Sequence, residues 1–503
     1  MLNIDDALHA MKRTTTASLV LALFAFSFAL NLYNNGFDYR LHIDERKKVQ
    51  FIKDGSQDFM HPTFMLKLSK VIKKITRQDS EQRLAVSGRS VSAFMGACIV
   101  IAVFFLSRRV LTTPFALPAA LSVAVSPIIV IHSHYLKEDV YFAAALLFSL
   151  LFFIKTLETG KRVNVALFGL FFGLALSSQY KSALMLIIFP IIPFLDKGIE
   201  RRSYAKELAA ALSISVLTFL IVNYNIFIDA ANAYNGLSHE IAHIQTGHSI
   251  HIYPLDYLFL FHYTYSLIPG ITLAATVVCT IGYFISLYGW KQAAVLEKTL
   301  LLCITAYYLA HEISPLKPAP DFMRYMIPIT PMLIIVGWLG IERTYHFLRR
   351  SRHRLSGYAL LCVAAFSLLV LPAYATANLV ANLVDDTRIT AARYLSGVTG
   401  GYLYETYGLP RLYDAEYVKS VADIDLDAAR RIGICRVVAS SMEYDKYYYG
   451  SRIKGQDASV YGRHAAYERL FRFPYVEIRP KYKTYAFSNP TIRIVDICAG
   501  EHE

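Results

Sequence analysis

The chain has 503 residues, of which 55% are hydrophobic and only 18% are charged, whereas soluble proteins carry about 25% charged residues. This balance excludes an intrinsically disordered chain and an ordinary cytosolic enzyme. The net charge of +13, from 51 basic and 38 acidic residues, lies largely beside apolar runs. This placement favours anionic lipid headgroups and lipid-linked phosphates over nucleic acid as partners.

Apolar runs of bilayer length recur along the chain, such as TASLVLALFAFSFAL at 16–30 and YMIPITPMLIIVGWLGI at 325–341. The first run follows Lys12 and Arg13, as in a signal peptide, but no small-residue cleavage site follows it, so we expect a retained helix. Together the runs predict an α-helical polytopic membrane protein with about eleven spans. These lie near residues 15–34, 86–106, 113–131, 140–157, 163–178, 182–195, 207–223, 263–289, 299–314, 323–341 and 357–374.

The short loops between these spans are basic on one side only. With the N-terminus inside, the short loops rich in Lys and Arg, from the one with Arg108 and Arg109 to the run at 343–354, all fall on the cytoplasmic side, as the positive-inside rule requires. Eleven crossings then place the tail outside. No Asn-X-Ser/Thr acceptor occurs, because proline follows Asn489, and this favours a bacterial inner membrane.

We therefore expect two domains. Residues 1–374 form the membrane domain, with a first periplasmic loop at 35–86 and a histidine-rich periplasmic loop at 224–262. Within the first loop, HPTFMLKLSKVIKKITRQ has apolar residues at helical spacing and lysines opposite them, which predicts an amphipathic helix on the membrane surface. Residues 375–503 alternate helical and strand-like runs, which predicts a small periplasmic α/β domain.

Two of the six cysteines, Cys435 and Cys498, lie in strand-like runs of this tail. If the tail faces an oxidising compartment, the two are a candidate disulfide. The alternative is that both pack as small apolar residues.

Acidic residues stand at the outer ends of two predicted helices. Asp44 and Glu45 follow the first span in LHIDERKKVQ, and an HP pair at 61–62 comes after them. Glu138 and Asp139 occupy the next outer loop, after Lys137. A carboxylate here can serve as a base near a phosphate site, although an acidic pair at a helix start beside a solvated basic run is also common.

These motifs, in this order and on this side of the membrane, resemble the GT-C glycosyltransferases, and above all the protein mannosyltransferases and bacterial aminoarabinose lipid A transferases. GLALSSQYKSALML at 173–186 resembles a GLA-x-x-x-K-Y element of that family, with Tyr180 and Lys181 in reversed order. FMRYMIPITPML at 322–333 is similar to its RY-x-x-P-x-x-P helix, which begins with Arg324 and Tyr325.

The resemblance implies a hexosyl or pentosyl transferase that moves a sugar from a polyprenyl-phosphate donor to an envelope lipid, glycan or protein on the periplasmic face, with inversion. It implies Asp44 as general base, with Glu45 and Asp139 in supporting catalytic positions. The implied donor-binding residues are Tyr180, Lys181, Arg324, Glu138 and His61. No cofactor is required, while a divalent cation near Asp44 or the histidine-rich loop stays open.

Two other functions are compatible with parts of the sequence. HEIAH at 239–243 fits the H-E-x-x-H zinc protease motif, in which two histidines one helical turn apart bind the metal. The longer form of this motif fails, because Thr246 and Ser249 occupy its glycine and third histidine positions. A membrane metalloprotease and a non-enzymatic transporter are therefore the alternatives to a glycosyltransferase.

Overall fold

The structure is a computed structural model that describes residues 4–196, 198–246, 250, 254–314, 323–351, 354–398, 401–410, 416–418, 420–453, 455–482 and 488–500. A large helical part is followed by a small mixed α/β domain. The first helices are α1 (Ile4–Leu32), α2 (Ile43–Asp54), α3 (Phe64–Thr76) and α4 (Glu81–Ser107).

The helices of the central part follow in chain order: α5 (Thr113–Ala124), α6 (Pro127–Ser133), α7 (Asp139–Thr159), α8 (Arg162–Leu176), α9 (Ile188–Leu195), α10 (Arg201–Val222), α11 (Asn225–Ile228), α12 (Ala230–Thr246), α13 (Ile268–Ile271), α14 (Leu273–Tyr288), α15 (Val295–Ile313), α16 (Thr330–Arg350), α17 (Arg354–Ala365) and α18 (Leu371–Ala381). Tighter 3₁₀ turns precede α9 at Tyr180–Ile187 and α16 at Met323–Met326.

Every predicted span overlaps a helix or a pair of helices. In the described part of the chain, four helices are long and apolar enough to cross a bilayer by themselves: α4, α7, α10 and the continuous run of α17 and α18. Two predicted spans are broken instead, by 52° between α5 and α6 and by 109° before α14. The helical membrane fold is thus confirmed, and the number of eleven crossings stays a prediction.

The segment between α1 and α4 contains α2 and α3, which are packed against each other. The ring of His42 accepts a hydrogen bond from the Asp44 backbone N–H at the start of α2, and Gly55, with φ of 86°, ends the helix. Lys70 and Lys73 of α3 donate to the carbonyl oxygens of Gly55 and Lys53, each at 2.9 Å. These two lysines therefore stabilise the C-terminal end of α2.

The C-terminal domain is built from α19 (Thr387–Ser396), β1 (Gly401–Glu405), β2 (Glu416–Val418), α20 (Leu426–Arg431), β3 (Ile434–Ser440), α21 (Ser441–Gly450), α22 (Ala458–Leu470), β4 (Tyr475–Ile478) and β5 (Ile492–Asp496). Its sheet has the strand order β2-β1-β3-β5-β4. The first three strands are parallel, and β5 pairs antiparallel with β3 and β4. This arrangement confirms the predicted small α/β domain.

A disulfide stabilises this domain internally, and a buried arginine attaches it to the membrane part. Cys435 and Cys498 form a disulfide with a Cα–Cα distance of 5.1 Å, which confirms the candidate pair. The buried Arg388 forms an ion pair with Asp386 and donates to the carbonyl oxygen of Leu41 at 2.6 Å. The domain therefore rests on the loop that leads into α2.

Glu405 at the end of β1 is a carboxyl group fully buried inside this domain. It accepts hydrogen bonds from the backbone N–H of Ser440 at 2.5 Å and from the Tyr467 hydroxyl at 2.6 Å. Burial disfavours its charged form and the carboxylate of Glu443 repels it, so the pKa of Glu405 is raised to about 8.

Candidate active site

Three separate segments bring charged side chains together around Asp44. Asp44 comes from the first turn of α2, Lys137 from the loop before α7, and Arg324 from the turn before α16. The Lys137 ammonium donates to Asp44 Oδ2 at 2.8 Å and the Arg324 guanidinium donates to the same oxygen at 3.3 Å. The Asp44 side chain keeps 35% of its surface exposed, so it is accessible to a substrate.

The electrostatic surroundings of Asp44 keep it ionised. Partial burial opposes its charge, but the cations Lys137 and Arg324 outweigh that effect and hold the pKa of Asp44 below its ordinary value. Lys47 and Lys48, which lie close to Asp44 in the sequence, pair with other carboxylates. Lys47 pairs with Asp58, and the ammonium of Lys48 lies 3.6 Å from Glu138. Lys47 and Lys48 stand three and four residues after Asp44, a spacing at which side chains of one helix can meet, but their ammonium groups are directed to Asp58 and Glu138 instead.

Glu45 directly follows Asp44 in α2, but its side chain lies in a different environment. It is fully buried and forms a bidentate ion pair with Arg89 of α4, whose guanidinium donates to the two carboxylate oxygens at 3.0 and 2.5 Å. It also accepts a hydrogen bond from the backbone N–H of Leu136 at 2.6 Å. These contacts fasten α2 to α4 and to the loop that carries Lys137. The Glu45 side chain therefore links α2 to its neighbours and has no exposed surface.

Arg89 was missed by sequence reasoning, although a signal for it exists. A charged residue inside an apolar helix requires a buried partner, and Arg89 lies within the predicted span at 86–106, near its beginning. Besides Glu45, it donates to the backbone carbonyls of Asn35 and Phe37, at 3.0 and 2.6 Å. It therefore connects α4 to the segment between α1 and α2.

Two further carboxylates, Glu138 and Asp139 at the start of α7, lie deeper than Asp44. Glu138 is 2% exposed and contacts His61 Nε2 at 2.9 Å, with the ammonium groups of Lys137 and Lys48 at 3.5 and 3.6 Å. Asp139 is 3% exposed, and its Oδ1 accepts a hydrogen bond from the side-chain amide of Gln179 at 2.7 Å. The predicted residues His61, Glu138 and Asp139 thus belong to one cluster with Asp44. Gln179, which was not among the predicted site residues, also belongs to this cluster.

Lys181 and Arg324 flank one aromatic ring. The Lys181 ammonium lies 4.9 Å and the Arg324 guanidinium carbon 5.6 Å from the ring centroid of Tyr325. Two cations beside the same ring form a suitable place for a phosphate group. Tyr180 is directed elsewhere, because its hydroxyl donates to the backbone carbonyl of Phe59 at 3.1 Å.

Comparisons with known proteins agree with this architecture. A sequence model of the dolichyl-phosphate-mannose-protein mannosyltransferase family matches residues 69–226. The archaeal oligosaccharyltransferase AglB from Archaeoglobus fulgidus, in complex with an inhibitory peptide and a dolichol-phosphate, superimposes with a TM-score of 0.56 at 14% identity, over 95% of this chain and 74% of that one. ArnT from Cupriavidus metallidurans bound to undecaprenyl phosphate gives a TM-score of 0.55 at 12% identity, over 96% and 98%.

The chain has the GT-C fold. The resemblance drawn from the sequence motifs is therefore confirmed, and the chain is a multi-pass membrane protein. No curated protein matches its sequence. In this GT-C chain, the acidic and basic residues described above come from the loops and helix ends that the motifs marked.

The metalloprotease alternative is not favoured in this GT-C chain. His239 and Glu240 lie on α12, and the side chain of His243 is outside the described residues. Within the described ranges, no three side chains of His, Cys, Asp or Glu are grouped so that they could hold a metal ion.

Proposed function

We propose that this protein is a membrane glycosyltransferase that moves a sugar from a polyprenyl-phosphate donor to an acceptor hydroxyl in a bacterial cell envelope. The observation that carries the proposal is the accessible Asp44 carboxylate, held between Lys137 and Arg324, with Lys181 beside the same tyrosine as Arg324. The AglB and ArnT structures, which contain a dolichol-phosphate and an undecaprenyl phosphate, support a polyprenyl phosphate as the carrier.

The reaction is a direct displacement at the anomeric carbon. The acceptor oxygen attacks that carbon while its proton passes to Asp44, and the bond from the sugar to the phosphate oxygen breaks. The electron pair of that bond leaves with the carrier phosphate, where Arg324 and Lys181 stabilise the added negative charge. One displacement inverts the anomeric configuration, so no carboxylate nucleophile is needed.

Donor binding prepares Asp44 to act as a base. In the ion cluster Asp44 is held by two cations, and the contact with Arg324, at 3.3 Å, is the longer one. A donor phosphate attracts Arg324 away from Asp44, because a phosphate accepts bidentate hydrogen bonds from a guanidinium. With one cation removed, the pKa of Asp44 rises and the carboxylate becomes a better proton acceptor. Lys137 keeps the carboxylate in position.

The proposed function requires the site to lie on one particular side of the membrane. The basic short loops lie on the cytoplasmic side by the positive-inside rule, so the Asp44 cluster and the C-terminal domain face the periplasm. The acceptor is an envelope lipid, glycan or protein, and the basic outer loop with α3 associates with anionic lipids. Glu138 and His61 hold the cluster against α2, and Tyr180 fixes the segment before His61.

Mass spectrometry of envelope lipids and glycans tests this function. Cells with the protein should carry one class of molecule that is heavier by one hexose or pentose unit than in cells without it. Complementation with Asp79→Asn should restore that class, because Asp79 is an exposed residue of the same outer region. Complementation with Asp44→Asn should not. Identical envelopes with and without the protein would contradict the proposal.

A further inference from the structure

A group of buried polar atoms lies next to the candidate phosphate site. Among the described residues, Asp139 Oδ2, Gln179 Oε1, His132 Nε2 and the Tyr307 hydroxyl are buried and have no hydrogen-bond partner. The four side chains are between 0% and 6% exposed. Buried polar atoms without partners cost free energy, so several of them in one place indicate a ligand that completes their hydrogen bonds.

These four residues belong to one cluster. Gln179 donates to Asp139 at 2.7 Å, and the charge of Asp139 acts on both His132 and Tyr307. The ring of Tyr307 lies 4.2 Å from the ring of His311, which in turn lies 5.8 Å from Tyr325. Tyr325 is the ring between Lys181 and Arg324. The cluster therefore adjoins the position proposed for the donor phosphate, where the sugar is attached.

The free atoms identify the chemistry of the ligand. Asp139 Oδ2 and Gln179 Oε1 only accept hydrogen bonds, whereas the Tyr307 hydroxyl can donate and accept. An ionised phosphate presents acceptors alone and cannot satisfy the first two atoms. Sugar hydroxyls both donate and accept, so a ring with several hydroxyls satisfies the whole set.

The surrounding charges decide between neutral and charged sugars. Arg324, Lys181 and Lys137 all act on the Asp139 carboxylate. An ammonium group placed at Asp139 would face these three cations, and a sugar carboxylate would face Asp139 and Glu138. Both charged substituents are disfavoured, which leaves hydroxyls.

We infer that Asp139, Gln179, His132 and Tyr307 form a sugar-recognition cluster that selects a donor with a neutral, hydroxyl-rich sugar. This inference rests on the proposed function, and it defines the substrate class within it. Gln179 and Tyr307 contribute to selectivity between sugars, while Lys181 and Arg324 bind the phosphate that all donors share.

Binding measurements on the full-length protein in lipid nanodiscs separate the two contributions. The ligands are undecaprenyl phosphate alone, its mannosyl, glucosyl and galactosyl derivatives, and its 4-amino-4-deoxyarabinosyl derivative. The parental protein should bind at least one hexosyl carrier about tenfold more tightly than the bare carrier and the amino-sugar carrier, which corresponds to about 1.4 kcal/mol. The tightest hexosyl carrier is then the probe for the variants.

Tyr307→Phe removes one hydroxyl, and Gln179→Leu removes the amide at nearly constant volume. Each should weaken the hexosyl carrier by about tenfold and leave the bare carrier unchanged. Tyr283→Phe is the matched control. The Tyr283 hydroxyl lies outside the cluster and contacts Thr305 at 2.6 Å, and Thr305 is on α15, the helix that also carries Tyr307. It should leave both affinities at the parental values.

Several outcomes overturn the inference. Equal weakening of the bare and hexosyl carriers by Tyr307→Phe, or unchanged binding of both in a folded variant, assigns the cluster a structural role. Tightest binding of the amino-sugar carrier by the parental protein refutes the preference for neutral sugars. A parental protein that binds none of the carriers refutes the proposed function itself, whereas the other outcomes leave it standing.

Discussion

Replacing Glu45 by Gln distinguishes a positioning role from a catalytic one. Glu45 and Arg89 are both fully buried, and their contacts are 3.0 and 2.5 Å long. Glu45→Gln keeps the shape of the side chain but leaves the Arg89 charge without its counter-ion. Breaking a buried ion pair by removing one partner costs about 3–5 kcal/mol. We therefore expect a loss of stability of that size, together with a loss of transfer activity because α2 no longer holds Asp44 in place.

The assay is thermal and denaturant unfolding of the purified proteins in one detergent, with transfer rates measured at a temperature where each variant is folded. The double variant Glu45→Gln with Arg89→Met removes both charges, so most of the stability should return. Parental stability in Glu45→Gln, combined with a complete loss of transfer, would refute the positioning role and assign Glu45 to the chemistry.

Three further predictions concern the donor site and the C-terminal domain. Lys181→Met and Arg324→Met should each weaken the binding of undecaprenyl phosphate by about 10–100-fold, because a hydrogen bond to a charged group contributes about 1.5–3 kcal/mol. Unchanged titrations for both variants would contradict the phosphate site. The pKa of Glu405 is higher in the folded state than in the unfolded state, so its stabilising effect is complete below pH 4.5 and is lost as the pH rises through about 8. The unfolding temperature of the domain should fall between pH 5 and pH 9, Glu405→Gln should remove this dependence, and an equal slope in both proteins would contradict it. Replacing Cys435 and Cys498 by Ser should lower the stability of this domain by about 2–4 kcal/mol, as measured by limited proteolysis, and unchanged resistance would refute that contribution.

The helices were predictable because a bilayer requires long apolar runs, and those runs are visible in the sequence. The breaks in two of them were not predicted, although local signals exist. Pro127 follows the bend between α5 and α6, where a proline removes a backbone hydrogen bond. Thr272, with φ of 78°, separates α13 from α14, and this conformation cannot be read from an apolar pattern.

The site was predictable in part. Asp44, Asp139 and Arg324 could be placed together because they stand at outer helix ends, which meet on one side of the membrane. The cations that pair with Asp44 could not be derived from the sequence around it, because Lys137 and Arg324 are distant in the chain. Nothing in the local sequence distinguishes Gln179 or Tyr307 from other polar residues in apolar surroundings, so only the packing of the helices reveals them.

The central claim is that Asp44 accepts the proton of the acceptor in a single inverting displacement. The most direct test is the transfer rate of purified Asp44→Asn with a labelled polyprenyl-phosphate sugar, measured beside Asp79→Asn, together with the anomeric configuration of the product. We predict a rate lowered by about 10²–10⁴-fold with donor binding retained, a parental rate for Asp79→Asn, and a product of inverted configuration. A parental rate in Asp44→Asn, or a product that retains the configuration of the donor, would contradict the account.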